Sequence, residues 1–219
     1  SSAVLGIQKK GAADYFFVRQ CFWLAIGLLG LLVALKLPRG FWQRRKVVLG
    51  LIVLEAVLLL LTLLGPAVNG SHRWLCVGHY RIGQPSESAK IVLVIFAAYM
   101  LDRRLKERKE WVPTLLWIGA YAAFVAATIV VQPDLGSAVV LGIILLGMLF
   151  IDGIPAKWLA CLGGAAALAV ALLILASPYR YQRLITYLHP DLDPQHAGFQ
   201  ARQSLIAVGS GGLTGKWLG

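Results

Sequence analysis

The sequence predicts an all-α integral membrane protein, a polytopic bundle of about six transmembrane helices, and three observations carry that reading. Hydrophobic residues make up 58% of the 219 residues and charged residues only 14%, against roughly 25% charged in an ordinary globular chain. Mean hydropathy is +0.73. The charges sit in short clusters between long apolar runs. A soluble surface cannot be built from so few charges. The net charge of +11 points to an anionic lipid surface as partner, membrane lipids and not nucleic acid, because no nucleic-acid motif accompanies it.

A bilayer core requires about 20 apolar residues as helix. Six segments qualify, at about 16–36, 47–68, 85–101, 112–131, 135–151 and 158–176. Charges, Pro, Gly or Trp bound each one, as expected at membrane interfaces. The third is the weakest, with Glu87 and Lys90 in its first turns. Together they form a single membrane domain over 1–219, with a large extracytoplasmic loop at 177–219.

Direction follows from the Lys and Arg in the short connections. Arg39, Arg44, Arg45 and Lys46 lie between the first and second segments, and five basic residues lie between Asp102 and Glu110. Lys157 sits in the turn before the sixth. Positive-inside places these connections in the cytoplasm. The other side then receives Pro66–Gln84, the turn Gln132-Pro133-Asp134, and the tail, with both termini outside. All four His lie on that side, as do most uncharged polar residues. Chemistry is expected there.

The N-terminus shows neither a signal-peptide pattern nor an initiator Met, and Ser1-Ser2 reads as the interior of a longer chain. Cys21, Cys76 and Cys161 have no CxxC spacing. A Cys21–Cys76 disulfide requires both to lie outside, and three unpaired thiols is the plainer expectation.

Four polar constellations stand out. In the first, Asn69-Gly70 makes a turn, and Arg73-Trp74 sets a cation beside an interfacial aromatic. A plain re-entry loop anchored by Trp74 explains it equally. The second is Gly83–Lys90. Pro85 suits a first helical position, Glu87 lies where the helix dipole favours a carboxylate, and Glu87 and Lys90 share a face. Charges at this depth wall a polar cavity or form a pair that only fixes packing. The third is Gln132–Ser137, where Asp134 is a helix cap, a ligand, or both.

The tail is the fourth. Tyr181, Leu184, Ile185 and Leu188 fall on one helical face and Arg180, Arg183 and Tyr187 on another, an amphipathic helix suited to a membrane surface. A break at His189–Pro194 precedes a second short helix, about Phe199–Val208, that carries Gln200, Gln203 and Ser204. It ends in Gly209-Ser210-Gly211-Gly212 before Lys216. A glycine-rich turn beside a lysine holds phosphate in some proteins, but P-loop spacing is absent and a helix C-cap is the plainer account. Glu55, midway along the second segment, is an intramembrane carboxylate: a functional candidate by default, or a group protonated or paired within the bundle. The histidines show no ligand spacing, and no cofactor motif is evident. Whether a divalent metal takes part is unknown from sequence.

These motifs resemble those of the shape, elongation, division and sporulation (SEDS) family, the RodA, FtsW and SpoVE type. GQPSESAK at Gly83–Lys90, QPDLGS at Gln132–Ser137 and YQRLITYLHPDLDPQHAGFQARQSLIAVGSGGLTGK at Tyr181–Lys216 carry the likeness. NGSHRWL at Asn69–Leu75 and YFFVRQCFW at Tyr15–Trp23 extend it. The resemblance covers essentially the whole chain in order, and it leans towards the division-type members.

It implies a ten-helix peptidoglycan glycosyltransferase of the bacterial cytoplasmic (inner) membrane. Such enzymes polymerise lipid II, the undecaprenyl-diphosphate-linked disaccharide pentapeptide, beside a class B penicillin-binding protein that crosslinks the strands. The substrate-binding candidates are Arg73, Glu87, Lys90, Asp134, Arg183, Gln203, Ser204 and Lys216. Among them Arg73, Lys90, Arg183 and Lys216, together with Arg202, supply cations for the diphosphate. No catalytic residue is expected here. The opening resembles family sequence just after a first membrane helix, and the family aspartate thought to be catalytic would lie beyond Gly219, in a PE-x-H-T-D-F-like stretch. Asp134, Asp191 and Asp193 lie in other motifs, and Trp217 stands where the family commonly has glycine. The 219 residues alone are therefore expected to be inactive. Two other readings compete: a lipid II flippase or transporter, for which charges in a membrane cavity are as natural, and a non-catalytic scaffold of the division machinery.

Overall fold

The computed structural model describes residues 15–66, 71–77, 80–107, 110–188, 199–212 and 215. Its elements are α1 (Tyr15–Lys36), α2 (Arg39–Trp42), α3 (Arg45–Leu64), β1 (Leu75–Val77), β2 (Tyr80–Gly83), α4 (Pro85–Glu107), α5 (Trp111–Val131), α6 (Leu135–Ile151), α7 (Ala156–Leu175), α8 (Pro178–Leu188) and α9 (Phe199–Gly211). Among the described residues, four helices, against about six expected, are long and apolar enough to cross a membrane: the stretch Phe17–Lys36 within α1, then α3, α5 and α7. The 17 residues of α6 are apolar but shorter, and α4 carries charges at both ends.

The chain divides into two compact units, Arg39–Leu172 and Ser1–Pro38 with Leu173–Gly219. In the first, α4 packs against α3, α5 and α6. Its buried face reads Ala89, Leu93, Ala97 and Leu101, a four-residue step that keeps one stripe inward. Ala89 and Ala97 are fully buried, and their small side chains let neighbouring helices approach. On α5, Ile118, Ala122, Val125 and Ile129 face inward, whereas Trp117 and Val131 are each about two-thirds exposed. Large apolar groups turned outward suit hydrocarbon and not water.

The turn from α6 to α7 is a Schellman motif. Gly153 N donates to Phe150 O at 3.1 Å and Ile154 N to Leu149 O at 3.1 Å. Gly153 has φ +79°, a left-handed conformation that a residue without Cβ adopts freely. Leu149 and Ile154, which accompany it, are both in the core. Beside this turn Arg104 donates to Asp152 at 3.0 Å, and its guanidinium lies 3.5 Å over the Trp111 ring. One side chain thus ties α4, α5 and the end of α6 together.

In the other unit, every described side chain of α1 from Phe17 to Lys36 is exposed. Helix α8 is amphipathic, and Arg180 donates to the Leu173 carbonyl at 3.2 Å. Both tail helices fall where the residue pattern puts them, α9 running on to Gly211. The stretch before α4 also differs from expectation. The connection expected as a re-entry loop contains a hairpin, β1 antiparallel to β2, with an irregularity between Leu75 and Cys76. Strands of three and four residues are too short for alternation to show. Cys21, Cys76 and Cys161 are free thiols.

Candidate functional site

The end of the first unit that bears the hairpin gathers the polar motifs. Asp134 precedes α6 and caps it: Ser137 N donates to Oδ1 at 3.3 Å and the Ser137 hydroxyl to Oδ2 at 2.8 Å. Oδ2 also accepts from Gln84 Nε2 at 3.1 Å, and the same amide lies 2.8 Å from the Ser86 hydroxyl. The Asp134 carboxylate is therefore already engaged by donors, which suits positioning better than proton abstraction.

Arg73 spends its guanidinium on the same corner. Nε donates to the Gln132 carbonyl at 2.9 Å, and a terminal nitrogen donates to the Pro133 carbonyl. The Gln132 side chain points the other way into the bundle. It is 1% exposed, and Nε2 donates to Thr62 Oγ1 at 2.6 Å and to the Leu59 carbonyl at 3.3 Å. Gln132 Oε1 has no partner among the described residues. Nearby, His72 Nδ1 donates to the Gly65 carbonyl at 2.7 Å, closing the exit from α3.

Glu87 and Lys90 form the predicted pair across one helical turn, with Lys90 Nζ 2.9 Å from each Glu87 oxygen. Lys90 is mostly covered while Glu87 is 61% exposed. They line a cleft of about 580 Å³ with Leu58, Leu75, Gln84 and Ser88. Deeper, Glu55 is 2% exposed, with one oxygen unpartnered among the described residues. Ser88, on the first turns of α4, lies within its reach. The Tyr121 hydroxyl of α5 is likewise buried and unpartnered among the described residues. A ladder of buried polar groups thus descends from Gln132 through Thr62 to Glu55.

The structure brings Arg73, Glu87, Lys90 and Asp134 together in one unit. Arg183, Gln203 and Ser204 belong to the other, where Arg183 lies 5.1 Å over the Tyr179 ring and Gln203 and Ser204 are exposed on α9. Arg202 is exposed there too. Lys216, Asp191, Asp193 and Trp217 lie outside the described residues. Sequence reasoning overlooked Gln84 and Gln132, the two amides that join the motifs. Their common signal is a Gln immediately before Pro at a helix boundary.

The cell cycle protein family FTSW_RODA_SPOVE matches residues 1–219. A probable peptidoglycan glycosyltransferase FtsW of Mycobacterium tuberculosis is 36% identical over 220 residues, covering all of this chain and 42% of that protein. Proteins of the same description from Halorhodospira halophila and Nitrosococcus halophilus are 35% and 39% identical, and the chain covers 56% and 55% of their lengths. The chain thus spans about half the length of the curated relatives it matches. Among solved structures, a chain described under the structural coordination of polymerization and crosslinking by a peptidoglycan synthase complex superposes with TM-score 0.65. It is 31% identical, and the match covers 90% of this chain and 57% of that one. The helices, the motifs and these likenesses agree: the chain is a multi-pass membrane protein that belongs to the FtsW, RodA and SpoVE family of cell cycle proteins.

Proposed function

We propose that the protein polymerises lipid II into peptidoglycan strands at the outer face of the bacterial cytoplasmic membrane, beside a class B penicillin-binding protein. The observation that carries this reading is the Lys90–Glu87 pair on the wall of the hairpin-end cleft, in a chain whose curated relatives are named as peptidoglycan glycosyltransferases. In the reaction the acceptor 4-hydroxyl attacks the donor C1, the bond from C1 to the diphosphate oxygen breaks, and the hydroxyl proton passes to a base. Negative charge grows on the departing lipid diphosphate, so fixed cations in a partly dry cleft are what the step needs.

Lys90 supplies that cation, and Glu87 orients it through the pair. Arg73 acts through the backbone, fixing the Gln132-Pro133 corner from which Asp134 caps α6. In the other unit, Arg183 supplies a further cation and Gln203 and Ser204 supply hydrogen bonds for the substrate. No described carboxylate of the cleft serves as the base: Asp134 is occupied by donors and Glu87 by Lys90. The flippase and scaffold readings are not favoured by the relatives' names.

Polymerisation of purified lipid II by the full-length protein tests the reading, with Lys90→Ala beside the parent. Glycan strands from the parent and at least about a hundredfold less from the variant are expected for a diphosphate contact in the transition state. Movement of lipid II across vesicles without polymer would overturn the proposal.

A further inference from the structure

The opposite, basic end of the first unit holds a second cleft, of about 530 Å³, between α3, α4 and α5. Its polarity is graded along the helices. Arg45, Arg103, Arg104 and Glu110 stand at the mouth, where α3 and α5 begin and α4 ends. Val48, Leu49, Phe96, Met100 and Trp117 form the apolar floor, one to two turns further in. Two helical turns measure about 10 Å. A cleft charged at one end and apolar for that depth fits an amphiphile entered tail first.

The charges define its head. Glu107 pairs with Arg103 and Asp152 with Arg104, but Arg45 has no acidic partner among the described residues. It lies in a segment, Arg39–Lys46, with four cations and no acid. An unpaired arginine and a second one, Arg103, whose pair is solvent-exposed, stand at the mouth of one apolar slot and call for an anion with several acceptor oxygens, and a phosphate diester has them. We propose that this cleft seats a phospholipid of the cytoplasmic leaflet, its phosphate against Arg45 and Arg103 and one acyl chain between α3, α4 and α5. The site lies at the other end of the bundle from the Glu87–Lys90 cleft, and the inference is independent of the polymerase reading.

The test uses the full-length protein in detergent, titrated with phosphatidylglycerol and followed by native mass spectrometry. One tightly retained lipid is expected, while diacylglycerol, which has the tails without the phosphate, is not retained. Arg45→Gln with Arg103→Gln weakens retention about thirtyfold, as two lost cationic contacts require. Leu49→Trp, which fills the slot at a half-exposed position and changes no charge, weakens it similarly. Circular-dichroism melting establishes that both variants fold. Three outcomes overturn the proposal. Either folded variant retains lipid like the parent, or diacylglycerol binds as well as phosphatidylglycerol. In the third, the 219-residue chain retains the lipid but the full-length protein does not, so that the protein's own further residues fill the cleft.

Discussion

Gln84 Nε2 donates to Asp134 Oδ2 at 3.1 Å across 50 positions of sequence, and this bond joins the Gly83–Lys90 motif to the Gln132–Ser137 motif. Two segments that sequence shows only as separate polar islands are one structure. The cap on α6 and the first turn of α4, which carries Glu87, are set by the same amide.

The first prediction concerns that cap. Asp134→Ala removes it and strands Gln84, so a loss of about 1–2 kcal/mol in unfolding free energy is expected. Asn is as good a cap as Asp, so Asp134→Asn should stay within about 0.5 kcal/mol. Unfolding in mixed micelles measures both. If Asp134→Asn folds normally yet abolishes polymer formation, the carboxylate meets the substrate directly.

Lys90 and Glu87 separate stability from function. A pair three residues apart with one partner mostly exposed stabilises a helix by only about 0.2–0.5 kcal/mol. The exchanged variant, Glu87→Lys with Lys90→Glu, should therefore melt like the parent and still fail to polymerise lipid II, because the covered position no longer carries a cation. Activity in that variant would show that pairing, and not the place of the charge, is what the site uses.

Glu55 yields the opposite signature. A buried carboxyl oxygen without a partner among the described residues is destabilising, and Glu55→Leu fills the same space without a polar group. A rise of about 1–3 kcal/mol in stability is expected. If activity falls as stability rises, the residue belongs to the cavity's chemistry. If stability falls instead, the carboxyl is a packing hub whose contacts outweigh its desolvation.

Arg104 and Asp152 lie in the basic end of the bundle, 12% and 17% exposed. Removing one partner leaves the other charge covered and alone, so Asp152→Asn should lower stability by about 3 kcal/mol. Gly153→Ala, in the adjoining turn, should lower it by about 1 kcal/mol through its φ of +79°. Thermal shift of the purified protein in detergent distinguishes the two magnitudes.

Much of this was legible in the residues. The helices announce themselves by length and apolarity, and the Glu87–Lys90 pair by spacing alone. Asp134 was legible as a cap because Pro133 precedes it and an apolar run follows. What escaped depends on contact between distant segments. No periodicity says that Gln132 turns inward to Thr62 while its carbonyl is held by Arg73, or that Gln84 reaches Asp134. The hairpin escaped because strands of three and four residues hold too few repeats for alternation to show, and the Schellman turn because Asp152-Gly153 resembles any other loop.

Gln132 ties α5 to α3 and to Arg73 at one end of the unit, and Arg104 ties α4 to α5 and the end of α6 at the other through Trp111 and Asp152. Held at both ends, α5 makes a poor hinge. Sliding α5 past α3 by even one residue would break several hydrogen bonds at once with no new partners in register. In the polymerisation proposed above, such a block is a stator, a fixed wall past which the strand advances.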